Sequence, residues 1–133
     1  MVGGKEKASP GMTALSLPRG FALLDEALAQ AQKENKPIVL DFFAGWCAPC
    51  LRMEKTTFKD ERVKTLLDRC VFVRVDTDKH PEIAKRMAVE GLPDIRFALH
   101  NGKLIKQLRS LQDAESFASE LEGLLQTIEK VSR

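Results

Sequence analysis

Apolar positions along the chain follow two periods, and each change of period marks an element boundary. From Pro18 to about Glu34, the residues Phe21, Leu24, Ala27, Leu28 and Ala31 recur at helical spacing, and Pro18 suits a first turn that needs no N–H. Asn35-Lys36-Pro37 breaks this helix. Residues 38–43, Ile-Val-Leu-Asp-Phe-Phe, are apolar throughout except for Asp41, as expected of a central strand covered on both faces. A short helix is predicted from Ala48 to Lys55 with Pro49 in its first turn, and a second begins at the N-cap Asp60 with Val63, Leu66 and Leu67 inward. Cys70 to Val75 reads as a strand, Pro81 to about Ala88 as a helix, and Ile95 to Leu99 as another strand. Asn101-Gly102 is a hairpin signal joining that strand to an antiparallel partner over Lys103–Leu108. Asp113 then caps a terminal amphipathic helix carrying Phe117, Leu121, Leu124, Leu125 and Ile128.

Strand–helix–strand units followed by a hairpin imply an α/β fold, with a mixed sheet of four to five strands and helices on both faces. Residues 1–17 lack a core-forming pattern and are expected to be a flexible leader, with a single domain over residues 18–130. The length of 133 residues supports one core, not two. A net charge of +2 with both signs interspersed gives no reason to expect nucleic acid or an anionic membrane as a partner. No apolar run reaches the roughly 18 residues of a membrane span. The start, Met1 to Lys7, has no signal-peptide core, which leaves a cytoplasmic protein or an exported domain written without its signal.

With three cysteines, disulfides do not frame this fold. Cys47-Ala48-Pro49-Cys50 lies between the strand 38–43 and the helix 48–55, which puts Cys47 at the mouth of a helix, where unpaired N–H groups and the helix dipole favour a thiolate. A CxxC pair serves zinc, haem and redox sites alike. Leu51 after Cys50 is not the histidine of haem attachment, and zinc would need Cys70 together with His80 or His100. Cys47, nearer solvent, would attack, and Cys50, one turn in, would resolve. Trp46 is either a core residue or a flat wall for a docked partner, and Pro49 tunes the turn. Asp41 is either an exposed or hydrogen-bonded aspartate or a buried acid exchanging protons with Cys50. Pro93 is either a turn proline or the second residue of a cis Leu92–Pro93 bond that brings backbone acceptors to the cysteines. Cys70 reads as a small core residue.

Val39 to Cys50, Gly91-Leu92-Pro93 and Asn101-Gly102 together resemble the thioredoxin superfamily, over Pro37 to about Leu125. The resemblance implies a thioredoxin fold, a nucleophilic Cys47, a resolving Cys50, a buried acid at Asp41 and a cis proline at Pro93, with Trp46, Pro49 and Leu92 toward the substrate and no cofactor beyond the Cys47–Cys50 disulfide. Met53 to Phe58, Asp60 to Val63 and Asp113 to Phe117 are similar to the C-terminal domain of DsbD-type thiol:disulfide interchange proteins, which implies a periplasmic or otherwise exported location. The implied activity is protein-disulfide reduction by a monomer, with protein disulfides as substrates and an upstream thiol as electron donor. The alternative is a thioredoxin-fold binding module, for a partner or a metal, with structural cysteines. Departures stand out: Ala48 before Pro49 where thioredoxins usually have glycine, still without the histidine of oxidising and isomerising relatives; Asp94 after Pro93, which would disfavour a thiolate if its carboxylate approaches Cys47; Ser110 where a glycine often lies; and Phe72 where a lysine would pair with the buried acid.

Overall fold

A computed structural model describes residues 16–132, and the expected leader falls outside them except for its last two positions. Those two belong to the fold. Ser16 forms a β-bridge with Lys103, and Leu17 is buried against the first helix.

The elements follow in the order α1 (Ala22–Glu34), β1 (Ile38–Phe43), α2 (Ala48–Lys55), α3 (Glu61–Leu67), β2 (Val71–Asp76), α4 (Pro81–Arg86), β3 (Asp94–Ala98), β4 (Leu104–Leu108) and α5 (Ala114–Ser132), with a 3-10 turn over Thr57–Lys59. The four strands form one mixed sheet ordered β2-β1-β3-β4. β1 runs parallel to β2 and antiparallel to β3, and β3 and β4 form the hairpin that Asn101-Gly102 closes, with Gly102 at φ +91°.

Because side chains alternate across a strand, β1 serves two cores at once. Ile38, Leu40 and Phe42 meet Leu24, Ala27, Leu28 and Ala31 of α1 and Ile83 of α4. Val39, on the opposite face, belongs with Met53 of α2, Val63 of α3 and Phe117, Leu121 and Leu124 of α5. Helices therefore cover both faces, and a solvated side for β1 is excluded. Phe58, Phe72, Phe97 and Phe117 form an aromatic chain in the second core, with centroids 5.4–6.4 Å apart.

Helix ends carry their expected caps. Asp60 Oδ1 accepts the Val63 N–H at 3.0 Å, and Asp113 Oδ1 accepts the Ser116 N–H at 2.8 Å. Asp60→Ala should lower stability by about 1 kcal/mol. A thermal melt should register this as a fall of about 3–5 °C.

Two helices are shorter than their sequence periodicity. α1 starts at Ala22, not Pro18, because Gly20 lies at φ +100°, outside the helical region, and its N–H is taken by the Asp25 carboxylate at 3.2 Å. α4 stops at Arg86. Ala88 adopts φ +53°, and the Val89 N–H returns to the Ala84 carbonyl at 2.9 Å in a left-handed C-terminal turn.

Candidate active site

β1 carries the chain out of the sheet, Ala44 and Gly45 turn it, and α2 starts at once. Cys47 is the N-cap of α2, with extended backbone, and its Sγ accepts the Cys50 N–H at 3.2 Å. Pro49 occupies the first turn, where the missing N–H costs nothing, and remains exposed. Cys47 and Cys50 are joined as a disulfide, with their Cα atoms 5.3 Å apart. When the pair is reduced, the same Cys50 N–H and the positive end of α2 face the Cys47 sulfur and favour its ionised form.

As whole residues the two cysteines are buried alike. Cys47 is 4% exposed and Cys50 3%. Phe43 and Leu92 pack against the cluster that the pair forms with Ala44. The asymmetry between them is therefore electrostatic and positional, set by the helix cap.

The structure brings Leu92 to the cysteines. The Leu92–Pro93 peptide is cis, and Pro93 is buried where the loop enters β3. Trp46 is not a core residue. It is 70% exposed, with Nε1 donating to Asp78 Oδ2 at 3.0 Å. Beside the indole runs a groove of about 300 Å³, whose far wall is formed by Val89, Glu90, Gly91 and Leu92.

Asp41 lies on β1, six residues before Cys47, and is 2% exposed. Burial pushes its carboxyl above the ordinary aspartate range, against the pull of the Arg74 guanidinium, whose Nε donates to Oδ2 at 2.8 Å. Arg74 also gives Nη2 to Glu54 of α2 at 2.8 Å and stacks 3.9 Å above the Phe43 ring. One guanidinium is thus shared between two carboxylates. The cation for the buried acid comes from Arg74, not from position 72, and Phe72 instead stacks on Phe58. Parallel register sets Arg74 directly beside Asp41. Sequence reasoning passed over Arg74 and Glu54. The available signal was a single cation inside Val-Phe-Val-Arg-Val, facing the same way as Phe72.

Asp94 would burden Cys47 only if its carboxylate approached the sulfur. It is fully buried and held by Arg96, through Nε at 3.1 Å and Nη2 at 2.9 Å, with Gln107 Nε2 also donating to both carboxylate oxygens. Its carboxylate is thus hydrogen-bonded within that cluster, and its charge still reaches Asp41. Ser110 is exposed and accepts Gln112 Nε2 at 3.3 Å. Cys70 packs with Leu66, Leu67 and Val39 in a core separate from the cysteine pair, and burial pushes its thiol up to about 12. Among the described residues no three His, Cys, Asp or Glu side chains gather in a metal-holding group, so the zinc set built on Cys70 is not assembled.

The thioredoxin family model matches residues 23–123. Over 108 residues the chain is 38% identical to the thiol:disulfide interchange protein DsbD of Cronobacter sakazakii, a match covering 77% of this chain and 18% of that protein. It is 33% identical over 95 residues to the chloroplastic thioredoxin Y2 of Arabidopsis thaliana, covering 71% of this chain and 55% of the relative. Among solved structures, the C-terminal domain of Neisseria meningitidis DsbD in its reduced form is similar with a TM-score of 0.66 at 29% identity, covering 77% of this chain and 94% of that one. A Thermus thermophilus thioredoxin reaches a TM-score of 0.71 at 25% identity, covering 82% and 88%. The match thus spans less than a fifth of the length of the Cronobacter DsbD, and nearly all of the separately solved C-terminal domain of the Neisseria protein.

Proposed function

The chain belongs to the thioredoxin family and carries a thiol–disulfide exchange pair as Cys47 and Cys50, and from that premise we propose that it reduces disulfides of partner proteins. One observation carries the reading. Cys47 caps α2, bonded to Cys50 and facing an N–H that favours its thiolate.

The cycle balances without a cofactor. The Cys47 thiolate attacks one sulfur of a partner disulfide, the partner S–S bond breaks, and the departing sulfur takes up a proton. Cys50 then gives up its proton and attacks Cys47 Sγ, which releases the second partner thiol and leaves Cys47–Cys50 oxidised. Two electrons and two protons have passed to the partner, and an upstream dithiol must return them. In this reading Asp41 receives and returns the Cys50 proton, supported by its burial on β1 and its raised carboxyl. Trp46, Pro49 and Leu92 with Pro93 form the surface offered to the partner.

The similarity to DsbD supports a place in an exported electron-transfer chain, with the chain working as a single monomeric domain over about residues 18–130. Among the described residues no helix is long and apolar enough to cross a membrane.

A Cys50→Ser variant tests the reading directly. Incubated with an oxidised protein, it should accumulate a one-to-one mixed disulfide on Cys47 that a reductant dissolves. Failure of any adduct to form overturns the reading. The reducing direction requires a reduction potential nearer the roughly −270 mV of thioredoxin than the roughly −120 mV of DsbA.

A further inference from the structure

Arg96 is 1% exposed, and nothing in the exchange cycle uses it. Its guanidinium faces two ways. Nε and Nη2 grip the carboxylate of Asp94, the residue that follows Pro93. Nη1 donates to the Met87 carbonyl at 2.6 Å, at the end of α4. Met87 and Asp94 are the two ends of the loop that carries Val89, Glu90, Gly91 and Leu92. This loop walls the groove beside Trp46 and lays Leu92 on the cysteines. One buried side chain therefore bridges both ends of the segment that a partner would meet. Ala88, just inside the first anchor, sits at φ +53°, a conformation that persists in a non-glycine residue only when its surroundings fix it. Gln107 of β4 secures the carboxylate from the other side, and the Phe42 ring lies 5.3 Å from the guanidinium carbon.

We propose that Asp94 and Arg96 form a buried clasp that holds the 88–93 loop in its partner-docking shape, which makes Arg96 a positioning residue for protein substrates. The proposal rests on the reading that Cys47 exchanges with protein disulfides. An arginine is suited to the task because its planar fork can hold a carboxylate with one edge and a carbonyl with the other, which a lysine ammonium does not reproduce.

Two variants of the full chain test it. Asp94→Asn with Arg96→Met removes both charges together and so leaves no stranded ion, while Arg96→Lys keeps a cation for Asp94 but cannot span both anchors. In the double variant, KM for oxidised insulin should rise about tenfold or more with kcat within about twofold, the split expected when binding geometry is lost and chemistry is not. Alkylation of reduced Cys47 by iodoacetamide should keep its wild-type rate. Amide hydrogen exchange at Ala88 and Val89, both hydrogen-bonded in the native turn, should accelerate about tenfold or more. Arg96→Lys should shift KM and exchange in the same direction, less far.

Unchanged KM and exchange in a folded variant overturn the clasp. So does a fall in kcat accompanied by slowed alkylation, which would place the effect at the cysteines. Loss of folding in both variants overturns it too, by assigning the pair to core stability alone. A wild type inactive toward both insulin and a small aromatic disulfide would sink the exchange reading instead, and amide exchange at Ala88 and Val89 would still report on the clasp.

Discussion

Cys47→Ser is expected to abolish disulfide reduction, with insulin turnover falling about 10³-fold or more to the uncatalysed background. A serine hydroxyl forms no disulfide, so the covalent route disappears instead of slowing. The fold gives this substitution an unusually clean interpretation. Cys47 is the N-cap of α2, its sulfur accepting the Cys50 N–H at 3.2 Å, and serine is among the best residues for that position. The variant should therefore keep α2 and match the reduced wild type in a thermal melt, so that inactivity reports chemistry and not unfolding. Cys50→Ser should behave differently, attacking once, retaining the partner covalently and stopping. Cys70→Ser should leave turnover within about twofold, since that thiol is buried away from the pair and burial pushes it up to about 12, far from a thiolate at neutral pH. Substantial activity in Cys47→Ser, with adducts forming through Cys50, would reverse the assigned roles.

The position of the cysteine pair was legible in the sequence because it rests on local features. The apolar run before Asp41, the CxxC pair at a strand–helix junction, Pro93 and Asn101-Gly102 each declare their backbone context within a few residues. What was not legible depends on register or on a single dihedral. Nothing local says that Arg74, not the residue at 72, stands beside Asp41. That follows from the pairing of β1 with β2, which places Asp41 opposite Arg74. Asp94 looked like a charge loose near the cysteines, and only the strand periodicity of β3 sets Arg96 on the same face to pair with it. The helical pattern from Pro18 to Glu34 continues smoothly through Gly20, whose φ of +100° the hydrophobic periodicity does not encode. Nor does anything local say that Leu92, forty-odd residues away in the chain, packs against the cysteine cluster.

Asp41→Asn should separate stability from catalysis in opposite directions. Burial raises the Asp41 carboxyl above its ordinary range, the hydrogen bond and charge of Arg74 oppose this, and Glu54 and Asp94 add to the rise. The folded protein therefore holds this proton to a higher pH than the unfolded chain. Its contribution to stability is complete below the unfolded aspartate value and is lost as pH rises through the higher folded value. An asparagine has no proton to lose and can still accept the Arg74 Nε–H. The variant should thus be more stable than wild type at neutral pH, and urea midpoints measured from pH 4 upward should fall less steeply. Catalysis should suffer where stability gains. Without a carboxylate to take the Cys50 proton, resolution of the mixed disulfide should slow about 10²-fold, the lower end for a lost general base because water can substitute. The first attack by Cys47 should be little changed, so the adduct should build up in stopped-flow traces and decay faster as pH rises toward the thiol range. Wild-type resolution rates in Asp41→Asn, or parallel urea profiles for the two proteins, would remove Asp41 from the proton path and leave it as the partner of Arg74 alone.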